Sequence, residues 1–290
     1  MSAFLRRWSG ASRWLLRAGE RVGFGGAMMS QPAVRLLVGE RAVAFPRRPL
    51  ILGCVFLESF AGPVPGGEGA VARRASALVS LGADAIELAW RDAGGMSCET
   101  EARILEMLVT KISQTVRCAV PRDETQIFPP LLAVNIQHVE NIAVAVSLGV
   151  GIIASPSPQF PKWAGIAGVA VRRPYPTDAA DDTVAETLVR VGTDEKLRSA
   201  TIWEVPLCAF GNASRGRMLR VLRQLVASGC PVLISEPGSC LMDAADALAR
   251  DAEMAACLVA GARSGAAMFR VCNIEMAWRV LRTLERLCAL

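Results

Sequence analysis

Between residues 50 and 271, short apolar runs alternate with stretches whose apolar residues recur at helical spacing. The runs are LILGCVF (50–56), DAIELAW (84–90), LLAVNI (131–136), GIIAS (151–155), AGVAVR (167–172), TIWEV (201–205), PVLIS (231–235) and AMFRV (267–271). Their continuous apolar character is that of strands covered on both faces, as in a parallel sheet. AVARRASALVSLG stops at Gly82 and the helix expected over 215–228 stops at Gly229, each just before a strand. In the last segment Ile274, Ala277, Trp278, Leu281, Leu284, Leu287 and Cys288 form one apolar stripe, with Arg279, Arg282 and Arg286 off it. Asn273 is placed to cap that helix, and Glu275 suits its positive end. Strands and crossovers in this alternation predict an α/β fold, a (β/α)8 TIM barrel. A doubly wound sheet is second, because the glycine-rich GFGG (23–26) follows no strand and is no dinucleotide fingerprint.

Two departures from regularity are expected. Only PSPQFPKWAG (156–165) separates the fourth and fifth strands, which predicts a stunted fourth helix. VRLLVGERAVAFP (34–46) reads as a short amino-terminal hairpin plugging the barrel floor. Residues 1–28 stand apart as a flexible basic extension, with five arginines against Glu20; a presequence or a misassigned start would each look like this. Residues 29–290 then form the barrel.

Composition narrows the function. Beyond residue 28 the chain has 27 basic and 26 acidic side chains, so no basic stripe marks a nucleic-acid partner. No apolar run approaches the ~20 residues that a membrane helix needs. Nine cysteines without a CxxC pair indicate reduced thiols and a cytoplasmic location, or an organelle if the leader is a presequence. His138 is the sole histidine and only Lys111, Lys162 and Lys196 are lysines, which argues against a histidine triad or a two-histidine metal site.

In a TIM barrel the chemistry lies at the carboxyl ends of the strands. Arg270, in the last strand, poses the sharpest question, because burying a guanidinium requires an anion or an acid to meet it. Cys54, Cys208, Cys240 and Cys272 lie at or near strand ends, as do Glu58, Glu87, Asp92, Glu204 and Glu236. Reduced core thiols and solvated rim acids explain most of these; a soft-metal thiolate cluster, or Glu87 working with Glu204, is the functional alternative. Lys162 reads as a solvent-facing loop lysine.

Four stretches in order, spanning about residues 34–290, resemble the dihydropteroate synthase family. RPLILGCVFLESF followed by PGG is similar to its opening strand, G-I-L-N-x-T-P-D-S-F-S-D-G-G; ALVSLGADAIELAW to A-x-x-G-A-D-I-I-D-V-G-G; RMLRVLRQLVASGCPVLIS to the approach to its S-R-K strand; and AAMFRVCNIEMAWRVLRTL to the region of R-V-H-D-V. The resemblance implies a pterin-binding barrel. The family joins 6-hydroxymethyl-7,8-dihydropterin pyrophosphate to p-aminobenzoate with magnesium, releasing pyrophosphate.

Residue by residue, much of that machinery is replaced. Of the first motif Ser59, Phe60, Gly66 and Gly67 match, while Phe56 or Leu57 stands where the family has a magnesium-binding asparagine. Glu87 conserves a carboxylate, and Asn135 takes the place of the S-V-D-T aspartate. Ala154 and Ser155 replace asparagine and aspartate of I-N-D. Val205 falls on the aspartate and Asn212 on the lysine of D-P-G-I-G-F-G-K, with Glu204 turned to the opposite face by strand alternation. Pro237 to Ser239 replace S-R-K; Arg270 and Val271 persist, followed by Cys272 and Asn273. The mouth is thus expected to be stripped of its ionised groups, with Arg270 the chief cation left to grip a pyrophosphate.

These losses imply a divergent paralogue without the standard activity, a ligand-binding or partner subunit. The alternative is an enzyme, a transferase: a divergent synthase of folate biosynthesis, or a relative of the pterin-dependent methyltransferases. The candidate pterin or anion pocket is Arg270, Asn135, Glu87, Asn212, Ser59, Cys272 and Asn273, with no protein metal site and magnesium only if synthase activity survives. The expected partners are a pterin or another small anionic ligand, and a second copy or a related barrel through the carboxyl-terminal helix.

Overall fold

The computed structural model describes residues 35–38, 41–44, 48–57, 67–90, 95–155, 170–174, 200–206, 215–236 and 247–288. A hairpin of β1 (Arg35–Val38) and β2 (Arg41–Ala44) precedes eight parallel strands: β3 (Leu50–Leu57), β4 (Ala85–Trp90), β5 (Leu131–Asn135), β6 (Ile152–Ala154), β7 (Ala170–Pro174), β8 (Thr201–Pro206), β9 (Val232–Ser235) and β10 (Met268–Val271). They pair in chain order and β10 closes on β3, giving a closed barrel. The described helices are α1 (Gly67–Ser80), α2 (Cys98–Val116), α3 (Ile142–Ser147), α4 (Arg215–Ala227), α5 (Ala247–Arg263) and α6 (Ile274–Cys288). The barrel expectation holds. The segment expected to hold a stunted fourth helix, between β6 and β7, lies outside the described residues, as do residues 1–34.

Burial follows the pleat. Leu50 and Leu52 of β3, Ala85 of β4, Ala133 of β5, Ile152 of β6, Ala170 of β7, Ile202 of β8, Leu233 of β9 and Met268 of β10 fill the barrel interior as one cluster. The intervening residues, among them Ile51, Ile86, Val134, Ile153, Trp203, Ile234 and Phe269, face the helices in a larger cluster with Leu105, Leu108, Leu222, Leu258 and Leu281. Truncating one such leucine to alanine costs about 2–5 kcal/mol. Both faces of the strands are therefore apolar, which is why the runs show no period-two alternation.

The ends of the helices match their sequence signals. Asn273 Oδ1 accepts the Met276 N–H at 3.1 Å, and its amide donates to Asp251 at 2.8 Å. Gly82 has φ +109°, and a Cβ there would stand 2.3 Å from Trp278 Cδ1, so both backbone and space exclude a side chain. The apolar stripe of α6 holds at Ile274, Ala277 and Leu281. It fails at Leu287, 65% exposed, which instead edges a groove with Val259, Val280 and Leu284.

The amino-terminal end of the barrel is tied by one carboxylate. Asp84 accepts two bonds from Arg48, at 2.8 and 3.0 Å, and the N–H groups of Ile51 and Ile127 at 2.9 and 3.1 Å. Arg48 and Asp84 are both buried, and with every carboxylate bond directed the pair serves as a clamp across the floor. The Gln126 amide adds bonds to the carbonyls of Val79 and Ala83 at 2.8 and 2.6 Å.

Candidate functional site

The parity that points Leu52, Ala85, Ile202 and Met268 inward carries Cys54, Glu87, Glu204 and Arg270 into the carboxyl end of the same interior. Arg172, two residues after the inward Ala170, joins them.

Four of these groups form an alternating ring of charge. Arg270 Nε lies 2.9 Å from Glu87 Oε2, and its Nη1 lies 3.5 Å from Glu204 Oε1. Arg172 Nε lies 3.0 Å from Glu204 Oε2, and its Nη1 is in close contact with Glu87 Oε1. Each cation meets both anions, and each anion both cations. The Glu87 oxygens and Arg172 Nε make these contacts without hydrogen-bond alignment, so the attraction is mainly coulombic. Glu87 is wholly buried, and the Arg270 and Glu204 side chains are 16% and 13% exposed.

The ring sets the chemistry of its neighbours. Burial pulls the Arg270 guanidinium toward deprotonation, but the Glu87 carboxylate and then Cys54 and Glu204 outweigh that and raise its pKa further. Arg270 Nη2 also lies 3.9 Å from Cys54 Sγ, and its guanidinium carbon stands 5.8 Å from the Phe56 ring centroid. Cys54 is driven the other way: burial first, then Glu87, push its thiol far up, with Arg270 only partly offsetting them. A half-buried thiol so held stays protonated and is not a nucleophile.

Several expectations change here. The mouth is not stripped of ionised groups, since two carboxylates and two guanidiniums converge in it. Val205, expected at the site, faces the helix layer instead, and Glu204, expected on the far face, points inward. The inward Ile202 fixes that parity. Arg172 was not among the expected site residues, although its signal was that of Arg270, an arginine closing an apolar strand.

Of the predicted pocket residues, Glu87 and Arg270 come together in the ring. Asn135 lies on β5 between Glu87 and Arg172 in strand order, and its Oδ1 is buried without a donor among the described residues. Cys272 is exposed and gives its N–H to Glu236 at 2.9 Å. Asn273 spends its amide on the α6 cap and Asp251. Ser59 and Asn212 lie outside the described residues. The ring does not fit magnesium: both carboxylates are engaged by guanidiniums, and a hard dication would need them free. Apart from the ring, Cys98, His138 and Glu140 bring a thiol, an imidazole and a carboxylate within 4.8 Å of one another.

The sequence matches no protein-family model and no curated protein. The fold is nonetheless shared with solved structures. The chain is similar to the dihydropteroate synthase from Xanthomonas albilineans in complex with 7,8-dihydropteroate, at 20% identity and TM-score 0.66, over 89% of this chain and 99% of that one. It is similar to the dihydropteroate synthase from Thermus thermophilus, at 18% identity and TM-score 0.61, over 87% and 98%. It is also similar to the 7,8-dihydropteroate synthase from Vibrio fischeri, at 15% identity and TM-score 0.66, over 89% and 99%.

Proposed function

We propose that this chain is a dihydropteroate-synthase-like barrel that lacks the synthase reaction and acts as a ligand-binding or partner subunit. One observation carries the reading: Arg270, the cation that would hold a leaving pyrophosphate, is paired with Glu87 and Glu204 inside the barrel. A pyrophosphate would have to displace two carboxylates already in place, and those carboxylates would repel it. Stabilising a departing anion needs donors aimed at it and otherwise unspent, and this ring is self-neutralised.

Binding of an uncharged ring is a separate matter. Asn135 Oδ1, buried and without a partner among the described residues, is an acceptor suited to a ligand N–H. It supports retention of a pterin-like ligand without a diphosphate. That favours, as a second reading, likeness to the pterin-dependent methyltransferases. Pairing with a second copy or a related barrel is assigned to α6, where Arg279 and Leu287 are exposed. The thiols of Cys54, Cys98 and Cys118, none in a disulfide, support a reducing, cytoplasm-like compartment. Among the described residues no helix is long and apolar enough to cross a membrane.

The test is a melting titration with 6-hydroxymethyl-7,8-dihydropterin pyrophosphate, with methyltetrahydrofolate and with inorganic pyrophosphate, each with and without magnesium, followed by a p-aminobenzoate turnover assay. Ligand that binds the native state must raise the melting temperature. The expected outcome is no turnover and no pyrophosphate shift, with any shift confined to ligands lacking the diphosphate. Turnover above background overturns the proposal.

A further inference from the structure

The cluster outside the charge ring is built from segments following adjacent strands. Cys98 opens α2, behind β4, while His138 and Glu140 follow β5. One ligand atom from each lies within 4.8 Å of the others, a spacing open to a single ion. His138 Nε2 lies 2.8 Å from the Met96 carbonyl, so it carries the ring proton and donates it there. In the neutral ring the other nitrogen, Nδ1, then keeps the lone pair that a metal needs. An imidazole whose other nitrogen donates to a backbone carbonyl is oriented as metal-binding histidines usually are.

The support beneath the cluster is rigid. Glu101, buried on the first turn of α2, accepts the N–H groups of Gln137 and His138 at 2.7 and 3.0 Å and the Asn141 amide at 2.8 Å. The Asn141 amide also donates to the Cys98 carbonyl at 3.0 Å, and its Oδ1 accepts the Cys98 thiol at 3.4 Å. Glu101 thereby locks the backbone of His138 to the helix that bears Cys98.

We infer that Cys98, His138 and Glu140 form a binding site for a divalent transition metal of the zinc class. Thiolate, imidazole and carboxylate together suit zinc or cobalt and not magnesium or calcium, which take oxygen ligands. Three protein ligands leave a fourth tetrahedral position for water or a ligand atom. The thiol proton leaves to solvent when the metal binds. The site does not depend on whether the barrel binds a pterin.

The experiment uses the full chain, stripped with chelator and titrated with cobalt, then with zinc in competition. The expected result is one tight cobalt equivalent with a thiolate-to-cobalt charge-transfer band, displaced by zinc. Cys98→Ser abolishes the band, and His138→Ala weakens binding at least about 10-fold, as losses around a metal do. Glu140→Gln, at an exposed position, tests the carboxylate without disturbing the fold, and also weakens binding. Far-ultraviolet circular dichroism checks that each variant is folded. No band in the unaltered chain, or a band that survives in folded Cys98→Ser, overturns the inference. Unchanged cobalt affinity in folded His138→Ala does so as well.

Discussion

Replacing Arg270 with methionine keeps much of the side chain's apolar stem and removes its charge. Glu87, wholly buried, is left with Arg172 alone, and Glu204 also loses one of its two cations. Breaking a buried pair by removing one partner costs about 3–5 kcal/mol. Because the Arg270 and Glu204 side chains keep 16% and 13% exposure, solvent screening lowers that range to about 2–4 kcal/mol. The double variant Arg270→Met, Glu87→Met deletes one charge of each sign and leaves Arg172 facing Glu204, a neutral pair at 3.0 Å. It should therefore lose much less than the sum of the two single variants, by a coupling of about 1–3 kcal/mol. Urea unfolding with the slope held common reads all three as shifts in midpoint. If the single-variant losses simply add, Arg270 and Glu87 do not act as a unit. The guanidinium would then be available to an external anion, and the argument against pyrophosphate binding would fail.

Two further predictions concern the same interior. Cys54 should resist alkylation at mildly basic pH while exposed Cys118 is labelled, because burial and Glu87 hold the Cys54 thiol far above its usual pKa; peptide mapping by mass spectrometry that finds comparable labelling of both would refute this. Val205→Asp should lower stability by about 3 kcal/mol or more, the cost of an unpaired buried carboxylate, since residue 205 faces the apolar helix layer; a variant with wild-type unfolding midpoint would mean that β8 has the opposite parity.

Much of the fold was legible because its signals are local. Gly82 and Gly229 end helices at positive φ, and Asn273 caps α6 as its spacing implied. The mouth was less legible. Glu204 and Val205 are adjacent on a strand that is apolar on both faces, so no alternation in TIWEV says which of them turns inward. A resemblance carried by motif order could slip by one residue there without penalty. Arg172 and Arg270 look alike in sequence, and only closure of the barrel brings them to the same two carboxylates. His138, as a lone histidine, held no spacing signal, because its companion Cys98 is 40 residues away, on the element behind the neighbouring strand.

By itself the sequence determined that eight two-sided strands alternate with helices, since burial on both faces writes a continuous apolar run into each strand. Only the tertiary structure decided that the charges of the mouth answer one another. Ion pairing depends on distances between strands far apart in the chain, and those are set by the register and closure of the barrel, which no local pattern encodes.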